Sequence, residues 1–182
     1  SGTFSSKNIG SQAVIATGYS LGGANADRYS LSAQPIVPNA NITAKALTMS
    51  GLSVPVSKAY NGNTAAVVSG TPVLASTETA GTGTTSDGKP YIGDTVSITG
   101  TAAGSYNSKD VATATTVTFS GLSLTGAQGG NYTLTIQSSA AATITAKALT
   151  VTGITASNKT YNATTTASIS TGSAALVGNL DG

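Results

Sequence analysis

Residues 40–66, ANITAKALTMSGLSVPVSKAYNGNTAA, return at 142–167 as ATITAKALTVTGITASNKTYNATTTA, an offset of about 102. The other half repeats at the same distance within a residue or two: GYSLGGANADRYSL at 18–31 with GLSLTGAQGGNYTL at 121–134, and FSSKNIG at 4–10 with YNSKDVA at 106–112. A fixed-period repeat fixes how every other residue is read, because equivalent positions share a structural role. Residues 1–41 are then the C-terminal part of one repeat, 42–142 a complete repeat, and 143–182 the N-terminal part of a further one. Between them the partial copies lack only the equivalent of Asp94–Ala102, which reads as one strand. A unit of about 100 residues is long enough to bury its own core, unlike the short units of solenoids.

Within a copy the apolar residues alternate. Tyr132, Leu134 and Ile136 alternate with Thr133 and Thr135, Tyr29 and Leu31 flank Ser30, and Val117 and Phe119 alternate with Thr116 and Thr118. This is the period of strands with one apolar and one wet face. After Gly121 the apolar set passes to Leu122 and Leu124, the opposite parity, which predicts a bulge or bend there; Gly18, before Tyr19 and Leu21, reads the same way. Turn signals at Asn61-Gly62, Ser69-Gly70, Asp87-Gly88, Ala103-Gly104 and Gly129-Gly130 separate short strands in the manner of a β-sandwich. No stretch supports a helix; Ala140–Ala142 favour one by propensity but run into Thr143-Ile144-Thr145. In ITAKALT, Ile42, Ala44 and Ala46 share one parity and Leu47 and Met49 the other, as do Ile144, Ala146 and Ala148 against Leu149 and Val151. A shared or continuous strand that closes one repeat and opens the next would show this switch. The stretch 76–90, STETAGTGTTSDGKP, lies in a segment longer in one copy than in the other and reads as a surface loop.

The chemical inventory is thin. There is no Cys, His or Trp, which removes thiolate and imidazole metal sites, thiol nucleophiles and histidine-based triads. The carboxylates Asp27, Glu78, Asp87, Asp94, Asp110 and Asp181 are scattered, with no calcium-loop spacing. Asp87, Asp94 and Asp110 of the full repeat fall at predicted turns and strand ends, and Asp110 is Asn8 in the other copy, so a glycosidase pair is disfavoured. A spontaneous Lys–Asn amide bond is disfavoured too, because Lys7 and Lys109 recur without a recurring acid. Gly22-Gly23 and Gly129-Gly130 lack the strand–loop–helix order of a phosphate loop and read as turns. The sequons at Asn41, Asn131, Asn158 and Asn162 occur at about the chance rate for a chain this rich in Ser and Thr. Thr113, Thr115, Thr116 and Thr118 could line a sugar- or ice-binding face, though hydroxyls are ordinary on a wet strand face. Eight dispersed Lys and Arg give no basic patch for nucleic acid, and no apolar run is long enough for a membrane span. No catalytic, cofactor-binding or metal-binding residue is expected, and no enzyme activity. Hydrophobic residues at 39% and a net charge of +2 argue against disorder.

Together these stretches resemble the YDG/MBG-type repeats of long bacterial surface proteins, including filamentous-haemagglutinin-like adhesins. The resemblance is carried by Lys58-Ala59-Tyr60-Asn61-Gly62, Gly93-Asp94, Tyr106 with Lys109-Asp110-Val111, Gly121–Leu134 with Asn131-Tyr132, and Ile144–Val151. The name-giving Asp is Asn61 and Asn162 here, and the Gly is kept as Gly62 but becomes Ala163, a residue ill suited to a positive-φ turn. The resemblance implies an all-β chain of tandem Ig-like β-sandwich repeats, serving as a stiff spacer or adhesin stalk on the cell surface or in an extracellular matrix. The implied partners are neighbouring repeats of the same chain. Two alternatives are a fibre or sheath subunit completed by β-strand addition between identical chains, and a module that binds a glycan or another surface ligand.

Overall fold

The computed structural model describes residues 1–180; Asp181 and Gly182, a predicted carboxylate and the end of the last partial repeat, lie outside them. The described chain is all-β, in several sheets, with two three-residue 3₁₀ turns at Ala26–Arg28 and Gly129–Asn131, equivalent places in two copies. Strands β1 (Gly2–Phe4), β2 (Gly10–Ala16) and β3 (Ile36–Ile42) form one antiparallel sheet. Then follow β4 (Lys45–Ser53), β5 (Ser57–Ala59), β6 (Ala65–Ala66), β7 (Ser69–Leu74), β8 (Ser97–Tyr106), β9 (Thr116–Thr125), β10 (Tyr132–Thr135), β11 (Ala140–Ala141) and β12 (Thr143–Thr145). Last come β13 (Thr150–Thr152), β14 (Thr155–Ala156), β15 (Ile169–Ser170) and β16 (Ala175–Val177), paired β13 with β16 and β14 with β15.

Two compact units are each built from separated stretches. One takes Ser1–Leu52, Ser69–Ala102 and Ser120–Ser138. There β4 lies between β10 and β7, and the parallel β10–β4 register sets Tyr132 opposite Lys45 and Leu134 opposite Leu47. Leu47, Met49, Leu52 and Tyr132 are its buried apolar residues. The other unit takes Ser53–Val68, Ala103–Phe119 and the chain from Ser139. There β12 runs parallel to β5, and Tyr106, Ala114, Val117, Ala142 and Ile144 form a buried cluster flanked by Val54, Tyr60 and Ala66.

Alternation accounts for most of this. In β9 Val117 and Phe119 are buried while Thr118 and Ser120 are exposed, and beyond Gly121 the half-buried positions are Leu122 and Leu124. Gly121 has φ 81°, a backbone that L side chains avoid, so the expected change of face occurs at that glycine. In ITAKALT the buried parity does change, but β3 ends at Ile42 and β4 starts at Lys45; the later copy likewise breaks after Thr145. Each copy of the segment thus holds two strands with a break rather than one continuous strand.

Other expectations are corrected. Ala103-Gly104 is no turn but the interior of β8, where a Cβ on Gly104 would stand 2.8 Å from Val68 and 3.1 Å from Val117. Tyr19–Leu21 and Tyr29–Leu31 form no strands and their large side chains are exposed. For Tyr29–Leu31 the reason is pairing: the equivalent stretch, β10, is held by β4, and no strand pairs with the stretch around Tyr29 among the described residues. The loop 76–90 is not exposed throughout; Glu78 and Asp87 turn inward near its ends, and Gly88 and Pro90 are buried.

Candidate functional site

Polar side chains converge at two lysines. Lys45 opens β4 on the same parity as Leu47 and Met49, so strand geometry carries its stem into the interior with them. A buried ammonium needs anions, and the loop supplies two: Lys45 Nζ forms ion pairs with Glu78 Oε1 and, at 2.9 Å, with Asp87 Oδ1. It also lies 4.2 Å from the centroid of the Tyr91 ring. Burial by itself pulls the Lys45 ammonium down, but hydrogen bonds to Glu78 and Asp87 outweigh it and hold it above the ordinary lysine range. Lys45, helped by the Lys89 N–H that donates to Asp87 at 3.0 Å, holds the Asp87 carboxyl well below the usual range. The ends of the loop are therefore fastened to the first strand of the complete repeat.

Beside this trio, Tyr132 Oη donates to Asp94 Oδ2 at 2.6 Å and accepts the Tyr91 N–H at 3.2 Å, and Lys7 meets Asp94 Oδ1 at 3.2 Å. Burial, and then Asp94, push the Tyr132 hydroxyl up. Lys7, Ile9, Lys45, Tyr91, Asp94 and Tyr132 line part of a cavity of about 450 Å³.

The second lysine, Lys58, leaves β5 and folds over the following turn. Its Nζ donates to Asn61 Oδ1 at 2.9 Å, Asn63 O at 2.8 Å, Asn63 Oδ1 at 3.1 Å and Ala65 O at 2.8 Å, and sits 5.2 Å from the Tyr106 ring centroid. Burial pushes its ammonium down. Lys159 repeats the clasp on Asn162 Oδ1 at 2.9 Å, Thr164 O at 2.7 Å, Thr164 Oγ1 at 3.0 Å and Thr166 O at 2.8 Å. The turn survives the change from Gly62 (φ 81°) to Ala163, which takes φ 56°. The lysine–x–tyrosine–asparagine spacing thus encodes a turn whose carbonyl oxygens are gathered on one ammonium.

The acids weighed for catalysis are held separately. Asp87 is on Lys45, Asp94 on Tyr132 and Lys7, and Asp110 lies 3.6 Å from Lys109. Lys7 and Lys109, the lysines considered for an amide bond to Asn, each pair with an Asp. Sequence reasoning missed the Lys45–Glu78–Asp87 trio, whose members are 33 and 42 positions apart. One signal was available: a lysine on the buried parity of an apolar strand requires an acid from elsewhere. The trio's charge state favours fastening over amide formation, because an ammonium held so firmly protonated offers no nucleophilic lone pair. Among the described residues, no group of three or more Asp or Glu is placed to hold a metal.

Lysine-clasped turns, strands of one-sided alternation and an offset of about 102 residues define an all-β repeat protein. The YDG domain matches residues 43–142, more than half of the sequence, and the protein belongs to that family. No curated protein and no solved structure matches it.

Proposed function

We propose that this protein is a structural repeat module of an extracellular surface or matrix fibre, in which tandem Ig-like β-sandwiches of about 102 residues act as a stiff spacer. The observation that carries the reading is the contrast between equivalent residues. Tyr132 is 6% exposed, held under the β10–β4 pairing, whereas its counterpart Tyr29 is 73% exposed. Met49 is 7% exposed and its counterpart Val151 56%. The complete copy covers these apolar positions with its own other half, which fits repeats that each close their own core and can be strung in tandem. The thin chemical inventory fits a part whose work is spacing.

The same register supports β-strand addition between identical chains as a second reading. Equivalence to Tyr132–Lys45 would place the stretch from Tyr29 parallel to the stretch from Lys147 of another copy. Sedimentation equilibrium of the 182-residue protein separates the two: head-to-tail oligomers growing with concentration favour addition between chains. A stable monomer, together with proteins of two and three complete repeats whose maximum dimension in small-angle scattering rises by a constant increment, favours the tandem spacer. A maximum dimension that does not rise with repeat number refutes it.

A further inference from the structure

We propose that Asn61, in the Tyr60-Asn61-Gly62 turn, is a site of spontaneous deamidation that places a carboxylate beside Lys58. The reaction needs the backbone nitrogen of the next residue to reach the carbonyl carbon of the asparagine amide, and a Cβ on that next residue hinders the approach. Asn61 is the one Asn in the sequence followed by Gly. Asn61 and Gly62 are exposed, and a Cβ placed on Gly62 would meet nothing closer than Leu180 at 3.9 Å. The carbonyl is already polarised: Asn61 Oδ1 accepts from Lys58 Nζ at 2.9 Å and from the Asn63 N–H at 3.4 Å. An ammonium there stabilises the oxyanion that develops on that oxygen as the ring closes.

The Gly62 nitrogen loses its proton and bonds to Asn61 Cγ, the bond from Cγ to the amide nitrogen Nδ2 breaks, and ammonia leaves with the proton. Solvent water then opens the cyclic imide to aspartate or isoaspartate. The net change is asparagine plus water to acid plus ammonia, with no change of oxidation state. Lys58 gives the product a purpose. The oxygens it holds on Asn61, Asn63 and Ala65 are all neutral acceptors, so the new carboxylate forms at a cation that has no anion among them.

The sequence supplies its own controls. Asn162 has the same lysine clasp, but Ala163 follows it and puts a Cβ in the path. Asn107, followed by Ser108, is locked at both ends: Oδ1 accepts from the Thr115 and Thr116 N–H groups at 2.9 and 3.1 Å, and Nδ2 donates to Thr113 O and Thr115 Oγ1 at 3.1 and 3.2 Å.

The test is peptide mapping by mass spectrometry of the purified 182-residue protein during incubation at mildly alkaline pH, with Gly62→Ala alongside. Ala163 shows that a non-glycine residue fits this turn, so Gly62→Ala is expected to fold. The amide-to-acid mass gain should accumulate in the Asn61 peptide on the order of tenfold faster than in the Asn162 or Asn107 peptides, and Gly62→Ala should abolish that excess. Conversion of Asn61 no faster than Asn162 overturns the assignment. The ion pair has a separate readout: Asn61→Asp should raise the midpoint of thermal unfolding at pH 7 but not at pH 3, and should lose that gain in a Lys58→Met background. A gain independent of pH or of Lys58 overturns the pairing.

Discussion

Leu47 and Leu149 occupy the same place in identical heptamers, ITAKALT, and their truncation separates local sequence from tertiary burial. Leu47 is 0% exposed in β4, whereas Leu149 is 44% exposed. Leu→Ala removes three carbons, worth about 2.4 kcal/mol at about 0.8 kcal/mol per buried group. The cavity left around a fully enclosed side chain adds to this, so Leu47→Ala should cost about 3–4 kcal/mol. At Leu149 only about half of the transfer free energy is at stake and water reaches the gap, giving about 1 kcal/mol. Urea unfolding followed by far-UV circular dichroism and tyrosine fluorescence measures both costs. Equal costs would refute the reasoning, since the two leucines sit in identical heptamers and differ in their tertiary surroundings. The pair also tests the spacer proposal. In a protein lengthened so that the copy beginning at 143 is complete, Leu149→Ala should cost as much as Leu47→Ala, and a cost that stays near about 1 kcal/mol would count against tandem completion.

Lys45 and Lys58 should shape the pH dependence in opposite senses. Lys45 is held above the ordinary lysine value of 10.5, so its contribution is complete below that pH and lost only in stronger alkali. Asp87 is held below the carboxylate value of 3.8, so its contribution is present above that pH and lost as the pH falls below it. Lys45→Met should therefore lower the unfolding midpoint more at pH 7 than at pH 2, and an equal loss at both would show that the ion pairs are not its origin. Lys58 is pushed down by burial, so stability should rise with pH in the window just below 10.5, and Lys58→Met should remove that rise in a thermal melt series. Tyr132→Phe deletes the bond to Asp94 and strands the Tyr91 N–H, at a cost of about 2 kcal/mol in urea unfolding; a cost near zero would mean that water replaces the hydroxyl. Ala163→Gly relieves a left-handed backbone worth about 1–2 kcal/mol but adds unfolded-state entropy of about 0.4–1 kcal/mol, so the protein should gain about 0.5 kcal/mol. The intact mass of freshly prepared protein should show no loss of water, which would otherwise report an amide bond at Lys45.

The two lysines are alike in one respect. Each stands in or beside a strand and gathers oxygen atoms from backbone that is otherwise irregular: the 76–90 loop for Lys45 and the Asn61–Ala65 turn for Lys58. With no Cys for disulfides and no cluster of three acids for calcium among the described residues, such cations take over the fastening of loops.

The repeat, the all-β character and the change of face at Gly121 were legible in the sequence, because side-chain parity and glycine placement are local properties of the polypeptide. The lysine of the turn motif was visible as well, although its grip on Asn61, Asn63 and Ala65 was not. What the tertiary structure alone decided is which identical local patterns become strands and core. Tyr132 lies in a strand and Tyr29 does not, though NYTL and DRYSL share one pattern, because a strand forms where a neighbouring strand completes its hydrogen bonds. Leu47 is enclosed and Leu149 is not for the same reason. The junction segment became two strands because its pairing partners change after Ile42. The loop 76–90 looked like a surface turn in sequence because Lys45, Glu78 and Asp87 are far apart along the polypeptide; only folding places a buried cation where two carboxylates can reach it.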